Sequence, residues 1–369
     1  MSGKLRLGVI GAGSWALAAH LPALAERRDV VEFAAVCRKG DAALERIRQR
    51  YGFAVASEDY RDVIAAGPDI CVVASPPALH HEHARAALAA GAHVLCEKPM
   101  TIDPKQAWDL VDVAHEARRE LLISFGWNYS DMVTGAKRLA ETHGIGPVEQ
   151  MTVHMSSTTR ELLSNTGAYP EADPETVPEQ ATWTDPATSG GGYGQAQLSH
   201  ALGLALHLVP ERVAAAYALM SAPDVAGPGG ASRRPPVELH DAICLRLDGG
   251  GIATVAGGSG HAGAGGDKHA LAVRAIGGEG QFVVDVEREL VWLYRPDGTD
   301  VRLPLRDGDG AYQASGPSRA LVEAGLGKLD RNPAPGELGA RTVEALDLAY
   351  RSARSGRLET RGGRLGERR

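Results

Sequence analysis

The residues of this chain best placed to do chemistry stand where apolar runs end. The run His93-Val94-Leu95-Cys96 closes on Glu97-Lys98-Pro99-Met100, a carboxylate, an amine and a fixed φ angle in succession. Surface strands more often finish on Gly, Asn or Asp turn residues. A Glu-Lys-Pro ending puts two opposite charges on a stiffened backbone, at the strand ends where an open parallel sheet admits ligands. An ammonium held there can hydrogen-bond a hydroxyl or polarise a carbonyl oxygen.

A second set stands at the end of the first apolar run, LRLGVI, residues 5 to 10. Gly11-Ala12-Gly13 follows at once, and Ala16 completes the spacing G-x-G-x-x-A. The first glycine makes the turn, the second lets backbone approach a pyrophosphate, and the small third residue lets helix and strand pack. Amides at the helix start would then hold the phosphates. The run VVEFAAVC, 30 to 37, ends on Arg38-Lys39 with no carboxylate at its tip. A basic tip suits a ribose 2′-phosphate, so NADP(H) is expected as the preferred cofactor, with NAD(H) possible. Two solvated charges on a turn are the other reading.

These residues need elements to position them. Strands read at 5–10, 30–37, 69–75, 92–96 and 121–125 alternate with helical stretches, the first running to about Arg28, the second capped by Asp41, and others at 78–90 and 103–119. That alternation predicts a parallel sheet covered on both faces. After Phe125 come a helix at 131–143 and a strand at 148–156. A Pro- and acid-rich segment, 164–188, reads as a long loop, and Pro223 to Pro236 as a mobile connector. A helix opened by Gly190-Gly191-Gly192 reaches about Leu208, and runs of alternating strands from 212 onward predict an open, mostly antiparallel sheet. The periodic stretch 336–355 predicts an amphipathic helix. The fold class is α/β, a Rossmann domain over 1–126 followed by an α+β domain over 127–369.

Composition narrows the class further. The chain has 369 residues with 44% hydrophobic and 23% charged, ordinary for a globular protein of two domains. Its net charge of −7 implies no broad basic surface, so no nucleic-acid partner is expected. No apolar run reaches the ~18 residues of a membrane span, and no leader pattern is present, so a cytoplasmic protein is expected. Cys37, Cys71, Cys96 and Cys244 sit in apolar runs without a CxxC pair and read as buried free thiols.

Taken together, GAGSWA at the first loop, His20-Leu21-Pro22-Ala23-Leu24, ASPPALH at 74–80, CEKPM at 96–100 and the C-terminal ELGARTVEALDLAYRSARSGR resemble the Gfo/Idh/MocA oxidoreductases over nearly the whole chain. The resemblance implies a nicotinamide at the junction of the two domains, with Lys98 reaching both it and the substrate and the Lys98–Pro99 bond commonly cis. It implies cofactor contacts from Gly11, Gly13, Ser14, Trp15, Arg38, Lys39, Ser75, Pro76, His80, Glu97, Lys98 and Asn128. Pro77 stands where many members carry Asn. The cluster His80-His81-Glu82-His83 suggests a metal only superficially, and none is expected.

On the helix opened by the triple glycine, His200 matches the catalytic histidine of the family's sugar and cyclitol dehydrogenases. The Asp that would precede it by one turn is Ala196, and a second acidic position is Gly203. Gln197, at i−3, is the nearest polar residue on the same face. Lys98 and His200 are therefore the expected catalytic residues, with Trp127, Tyr193 and Gln197 near the substrate and His207 structural. Glu171, Asp173, Glu175 and Glu179 are expected to shape the pocket. The expected function is an NADP(H)-dependent oxidoreductase of a sugar, cyclitol or related small molecule, favouring reduction. A redox-assisted lyase or glycosidase and a non-catalytic nucleotide-binding regulator are the alternatives. A homodimer or homotetramer is expected.

Overall fold

The computed structural model describes residues 3–167, 181–226, 230–261 and 269–362. The chain folds as two compact units, each built from separated stretches. One takes Met1–Gly126 and Gln313–Ala340, the other Trp127–Pro170, Trp183–Tyr312 and Arg341–Arg369. The first unit is therefore not the N-terminal 126 residues alone.

In the first unit, β1 (Leu5–Ile10), β2 (Val31–Cys37), β3 (Val55–Ser57), β4 (Ile70–Val73), β5 (His93–Cys96) and β6 (Leu121–Ile123) form one sheet. Its order is β3-β2-β1-β4-β5-β6, all parallel. Every residue of β4 is buried, as a strand covered on both faces requires. Strand order reverses around β1, which opens a crevice at its C-terminal end.

The helices begin as their caps dictate. Asp59 and Asp103 accept from Arg61 N–H and Lys105 N–H to start helices Tyr60–Ala65 and Pro104–Ala117. Asp41 is not a cap: Gly40, at φ 94°, takes that place, and Asp41 sits in the first turn of helix Asp41–Tyr51. The expected single helix to Arg28 is a wide turn, Ala16–His20, closed by Leu21 N–H to Ala16 O, and then a short helix, Leu21–Ala25. Pro22 has no N–H to donate to a continuous ladder.

The stretch 313–340 contributes a helix, Gly316–Gly325, that lies on this sheet. A methyl group at Gly325 would come within 2.7 Å of Ile70 Cγ2, so only hydrogen allows this approach. Ile123 N–H donates to Ala334 O at 2.8 Å, and Leu122 pairs with Pro335.

In the second unit, β7 (Val148–Ser157), β8 (Val213–Ser221), β11 (His240–Leu247), β12 (Ile252–Ser259), β13 (Ala270–Gly277), β14 (Gly280–Asp285), β15 (Leu290–Tyr294), β16 (Asp300–Arg302) and β17 (Glu359–Thr360) build a second sheet. Its order is β16-β15-β14-β13-β7-β12-β11-β8-β17. Only the β7–β12 pair is parallel. Helix Ser199–Leu208, buried along its whole length, belongs to the core of this unit.

Three expectations change here. Alternation on β11 turns Asp241, Ile243 and Leu245 inward and Ala242, Cys244 and Arg246 outward, so Cys244 is exposed while the other three thiols are buried. Burial pushes the Cys37 thiol up to about 11. The 164–188 segment contains short helices at Ala181–Thr184 and Pro186–Ser189, the latter capped by Asp185. Glu171, Asp173, Glu175 and Glu179 lie outside the described residues. The connector after Pro223 carries a small ladder, β9 (Val225–Ala226) against β10 (Ser232–Arg233).

Candidate functional site

The glycine loop sits at the switch point of the first sheet. Gly11 has φ 88°, and a Cβ there would fall 2.2 Å from Ser75 N, so the end of β1 and the turn after β4 are in backbone contact. Gly11 N–H and Ala12 N–H both donate to Cys37 O, at 2.9 and 3.1 Å. At Gly13 a Cβ would meet nothing nearer than 4.0 Å, which leaves open space before the second glycine. Ser14 and Trp15, half-buried, follow it. Such a cradle fits a dinucleotide pyrophosphate.

Arg38 and Lys39 separate. Lys39 is 84% exposed and points to Glu58, 3.8 Å away. Arg38 uses Nε on Lys39 O at 3.1 Å, and its buried Nη1 has no hydrogen-bond partner among the described residues. Burial, and then the charge of Arg46, hold its pKa below the usual value. Arg46 comes from helix Asp41–Tyr51 and is a basic residue that motif reading missed. A guanidinium with an unused donor beside a second guanidinium suits an anion.

At the end of β5, Glu97 is buried and Lys98 half-buried, and the Lys98–Pro99 bond is cis. Glu97 accepts from Lys98 N–H at 3.0 Å with one oxygen and from His20 Nε2 at 2.8 Å with the other. Burial pushes the Glu97 carboxyl up, but the hydrogen bond from His20, the charge of Lys98 and the Ser124 hydroxyl together hold it below its usual range. Burial lowers the Lys98 ammonium, and Glu97 opposes that.

His80 faces Pro99 O at 2.9 Å and Ser75 O at 2.6 Å with its two ring nitrogens. Both contacts are hydrogen bonds only in the doubly protonated ring, and burial pushes His80 toward the neutral form. It ties the turn after β4 to the Glu-Lys-Pro turn, with both nitrogens already engaged. Ser75 Oγ bonds His83 Nδ1 at 2.8 Å, and His81 bonds Asp109 at 2.7 Å, so the three neighbouring histidines serve separate partners. Pro76 follows Ser75 at the rim, half-buried.

In the second unit, His200 is buried and belongs to an aromatic corner. Its ring lies 5.2 Å from that of Trp127 at 90°, and 5.6 Å from that of Tyr312 at 88°. Trp127 and Tyr312 are 4.7 Å apart at 78°, and His269 lies 6.1 Å from Trp127. Edge-to-face contacts of this kind fix ring planes. Asn128 is buried, with Nδ2 3.5 Å from Gly203 O.

Two residues expected near the substrate lie in the buried interior of the second unit. Tyr193 is fully buried and donates to Met155 O at 3.1 Å, so its hydroxyl serves the core. Gln197 is buried as well. The turn Gly194–Leu198 is wide, closed by Ser199 N–H to Gly194 O, and takes Gln197 out of i,i+3 register. The start of this helix is held by Glu238, which accepts from Gly192 N–H at 2.9 Å and Gly194 N–H at 3.1 Å. A carboxylate is favourable there.

The model of a family described as "Oxidoreductase family, NAD-binding Rossmann fold" (Gfo/Idh/MocA) matches residues 5–125. Over that stretch the chain matches the Gfo/Idh/MocA family. It is 34% identical to D-glucoside 3-dehydrogenase of Escherichia coli over 145 residues, 39% of this chain and 41% of that protein. It is 27% identical to levoglucosan dehydrogenase of Pseudarthrobacter phenanthrenivorans over 333 residues, 81% of this chain and 78% of that one. The crystal structure of GenD2 from gentamicin A biosynthesis in complex with NAD has the same fold, with a TM-score of 0.73 and 23% identity over 98% of each chain. No helix among the described residues is long and apolar enough to cross a membrane.

Motif reading found the glycine loop and the Glu-Lys-Pro turn. It missed Ser318, Arg46, Tyr312 and His269, which carry no spacing signal and reach their places only through tertiary contacts.

Proposed function

We propose that the protein is a pyridine-nucleotide-dependent oxidoreductase acting on a hydroxyl or carbonyl group of a sugar, cyclitol or related polyol, with NADP(H) preferred. The observation that carries this reading is the glycine cradle at the switch point together with Lys98 at the end of β5 in the same sheet. The first unit is the nucleotide-binding domain and the second the substrate domain. The amides of Gly13, Ser14 and Trp15 would hold the pyrophosphate, with Arg38 and Arg46 on a ribose 2′-phosphate. When bound, the nicotinamide supplies the hydride acceptor or donor. Lys98 donates a hydrogen bond to the reacting oxygen, and its ammonium offsets negative charge there. His200, held by Trp127 and Tyr312, binds a substrate hydroxyl or exchanges its proton. The exposed face of the second sheet, with Tyr217 and Cys244 opposite each other and Leu219 and Ala242 beside them, supports a homo-oligomer. A cytoplasmic location fits this chemistry.

The test is a panel of levoglucosan, methyl glucosides, inositols and their keto forms with each nucleotide. Turnover of none of them, or cleavage of a glycoside without net change in nucleotide redox state, would overturn the dehydrogenase reading.

Cofactor preference follows from Arg38. Each charge-assisted bond to a 2′-phosphate contributes about 1.5–3 kcal/mol, or roughly 10- to 100-fold in affinity. NADPH is expected to bind at least about tenfold more tightly than NADH, and Arg38→Asp to narrow or reverse the gap. Fluorescence titration showing equal or tighter NADH binding in the native protein rules the preference out.

Direction follows from Ala196. Alcohol oxidation needs a base for the hydroxyl proton, and Ala196 brings no carboxylate one turn before His200. Reduction is expected to be the faster direction at pH 7, with oxidation rising toward alkaline pH. Ala196→Asp should raise oxidation relative to reduction. Initial rates both ways from about pH 6 to 10 decide this, and oxidation as fast as reduction in both proteins would remove Ala196 from the explanation.

A further inference from the structure

The Glu97 carboxylate is buried beside a half-buried lysine, and something must keep it charged and in place. Buried carboxylates persist only when several donors reach them. Two of the donors here come from neighbours in sequence or sheet: Lys98 N–H at 3.0 Å, and the Ser124 hydroxyl from the residue after β6. The third is His20 Nε2 at 2.8 Å, from the wide turn Ala16–His20. Behind it, His20 Nδ1 meets Ser318 Oγ at 2.9 Å, from helix Gly316–Gly325. His20 and Ser318 are both wholly buried. A hydroxyl donating to Nδ1 leaves the proton of a neutral ring on Nε2, which then donates to Glu97.

We propose that His20, locked by Ser318, is a positioning residue that holds Glu97, and through Glu97 the Lys98 turn, in the geometry needed for proton and hydrogen-bond chemistry at Lys98. The inference rests on the reading of Lys98 as the group that acts on the substrate oxygen. It also gives the 313–340 stretch a role: without Ser318 the ring of His20 is free to take the other tautomer, which turns an acceptor toward Glu97.

The titratable and charged groups that face Glu97 are His20, Lys98, His80 and Cys96. Removing the donor of His20 leaves the carboxyl buried with fewer bonds, so its pKa rises and it takes a proton as pH falls. Lys98 then loses its counter-charge on the acid side only, because at alkaline pH Glu97 is ionised with or without His20. The acid limb of kcat is therefore expected to move to higher pH in His20→Phe, with turnover at its optimum down about tenfold or more. His20→Gln, whose amide N–H can replace Nε2–H, should restore most of the rate and the acid limb. A role in packing alone would lower kcat without moving the acid limb and would not be rescued by Gln.

A second readout needs no substrate. Hydrogen exchange of peptides containing Lys98 measures whether its amide still donates to Glu97. In His20→Phe, and in Ser318→Ala, which removes only a hydroxyl, protection of that amide should fall about tenfold while the β1 and β4 peptides keep theirs. Unchanged protection at Lys98 in both variants, or equal loss across the whole first unit, would overturn the proposal. If the native protein turns over none of the probe sugars, the reading of Lys98 fails while the exchange result still decides the positioning role.

Discussion

Lys98→Met is expected to lower turnover by about 100-fold or more, the scale of one lost acid–base or electrostatic group, while NADH and NADPH affinity changes by no more than about threefold. Met keeps the length and apolar body of the side chain and removes the donors and the charge. The pH profile of the native protein should carry the mark of the same group. Burial lowers the ammonium pKa, and Glu97 pulls the other way without cancelling it. Lys98 is therefore a donor at low pH, and loses its proton as pH rises through a value below the usual lysine pKa of about 10.4. The rate of carbonyl reduction should fall along an alkaline limb below that value. Lys98→Arg, which keeps a charge that does not titrate, should move the limb out of range even if its rate is low. Stopped-assay rates from about pH 6 to 10 for the three proteins are the measurement. Near-normal turnover in Lys98→Met on a substrate of the native protein would remove Lys98 from the chemistry.

Gly11→Ala is expected to damage both folding and nucleotide binding, and Gly13→Ala only the second. At Gly11 the backbone has φ 88° and the new Cβ would lie 2.2 Å from Ser75 N and 2.5 Å from Ser75 Cα. Its neighbour is main chain, which cannot swing aside as a side-chain tip can. The left-handed conformation and the forced opening of the β1–β4 junction together cost about 2–5 kcal/mol. At Gly13 a methyl group meets nothing nearer than 4.0 Å, so the fold should be untouched. It would fill the space through which a pyrophosphate approaches the amides, and affinity for either nucleotide should fall about tenfold or more. Thermal melting and nucleotide titration on both variants separate the effects. A Gly13→Ala protein with native affinity would show that the open space before it is not where the phosphates sit.

Much of the first unit is legible in the sequence because its signals are local. An apolar run ending in G-x-G-x-x-A, or in Glu-Lys-Pro, carries its geometry in the residues themselves: positive φ, a missing N–H, opposite charges side by side. The period of the hydrophobic pattern separates the parallel sheet, buried on both faces, from the alternating strands of the second unit. The spacing rule applied to Gln197 has a physical limit. Its i−3 spacing from His200 assumes 3.6 residues per turn, and the wide turn Gly194–Leu198 breaks that register. Tyr193 could be placed on a helix start, but only packing against Met155 and Ser157 decided that its hydroxyl faces the core. The partners that complete each site come from far along the chain. Ser318 stands 298 residues from His20, and His20 stands 77 from Glu97, separations at which no spacing rule operates. Local chemistry determined which residues could act. Which of them meet, and which carboxylate is held by which imidazole, was decided by the return of 313–340 onto the first sheet, since buried polar groups must find donors wherever the fold supplies them.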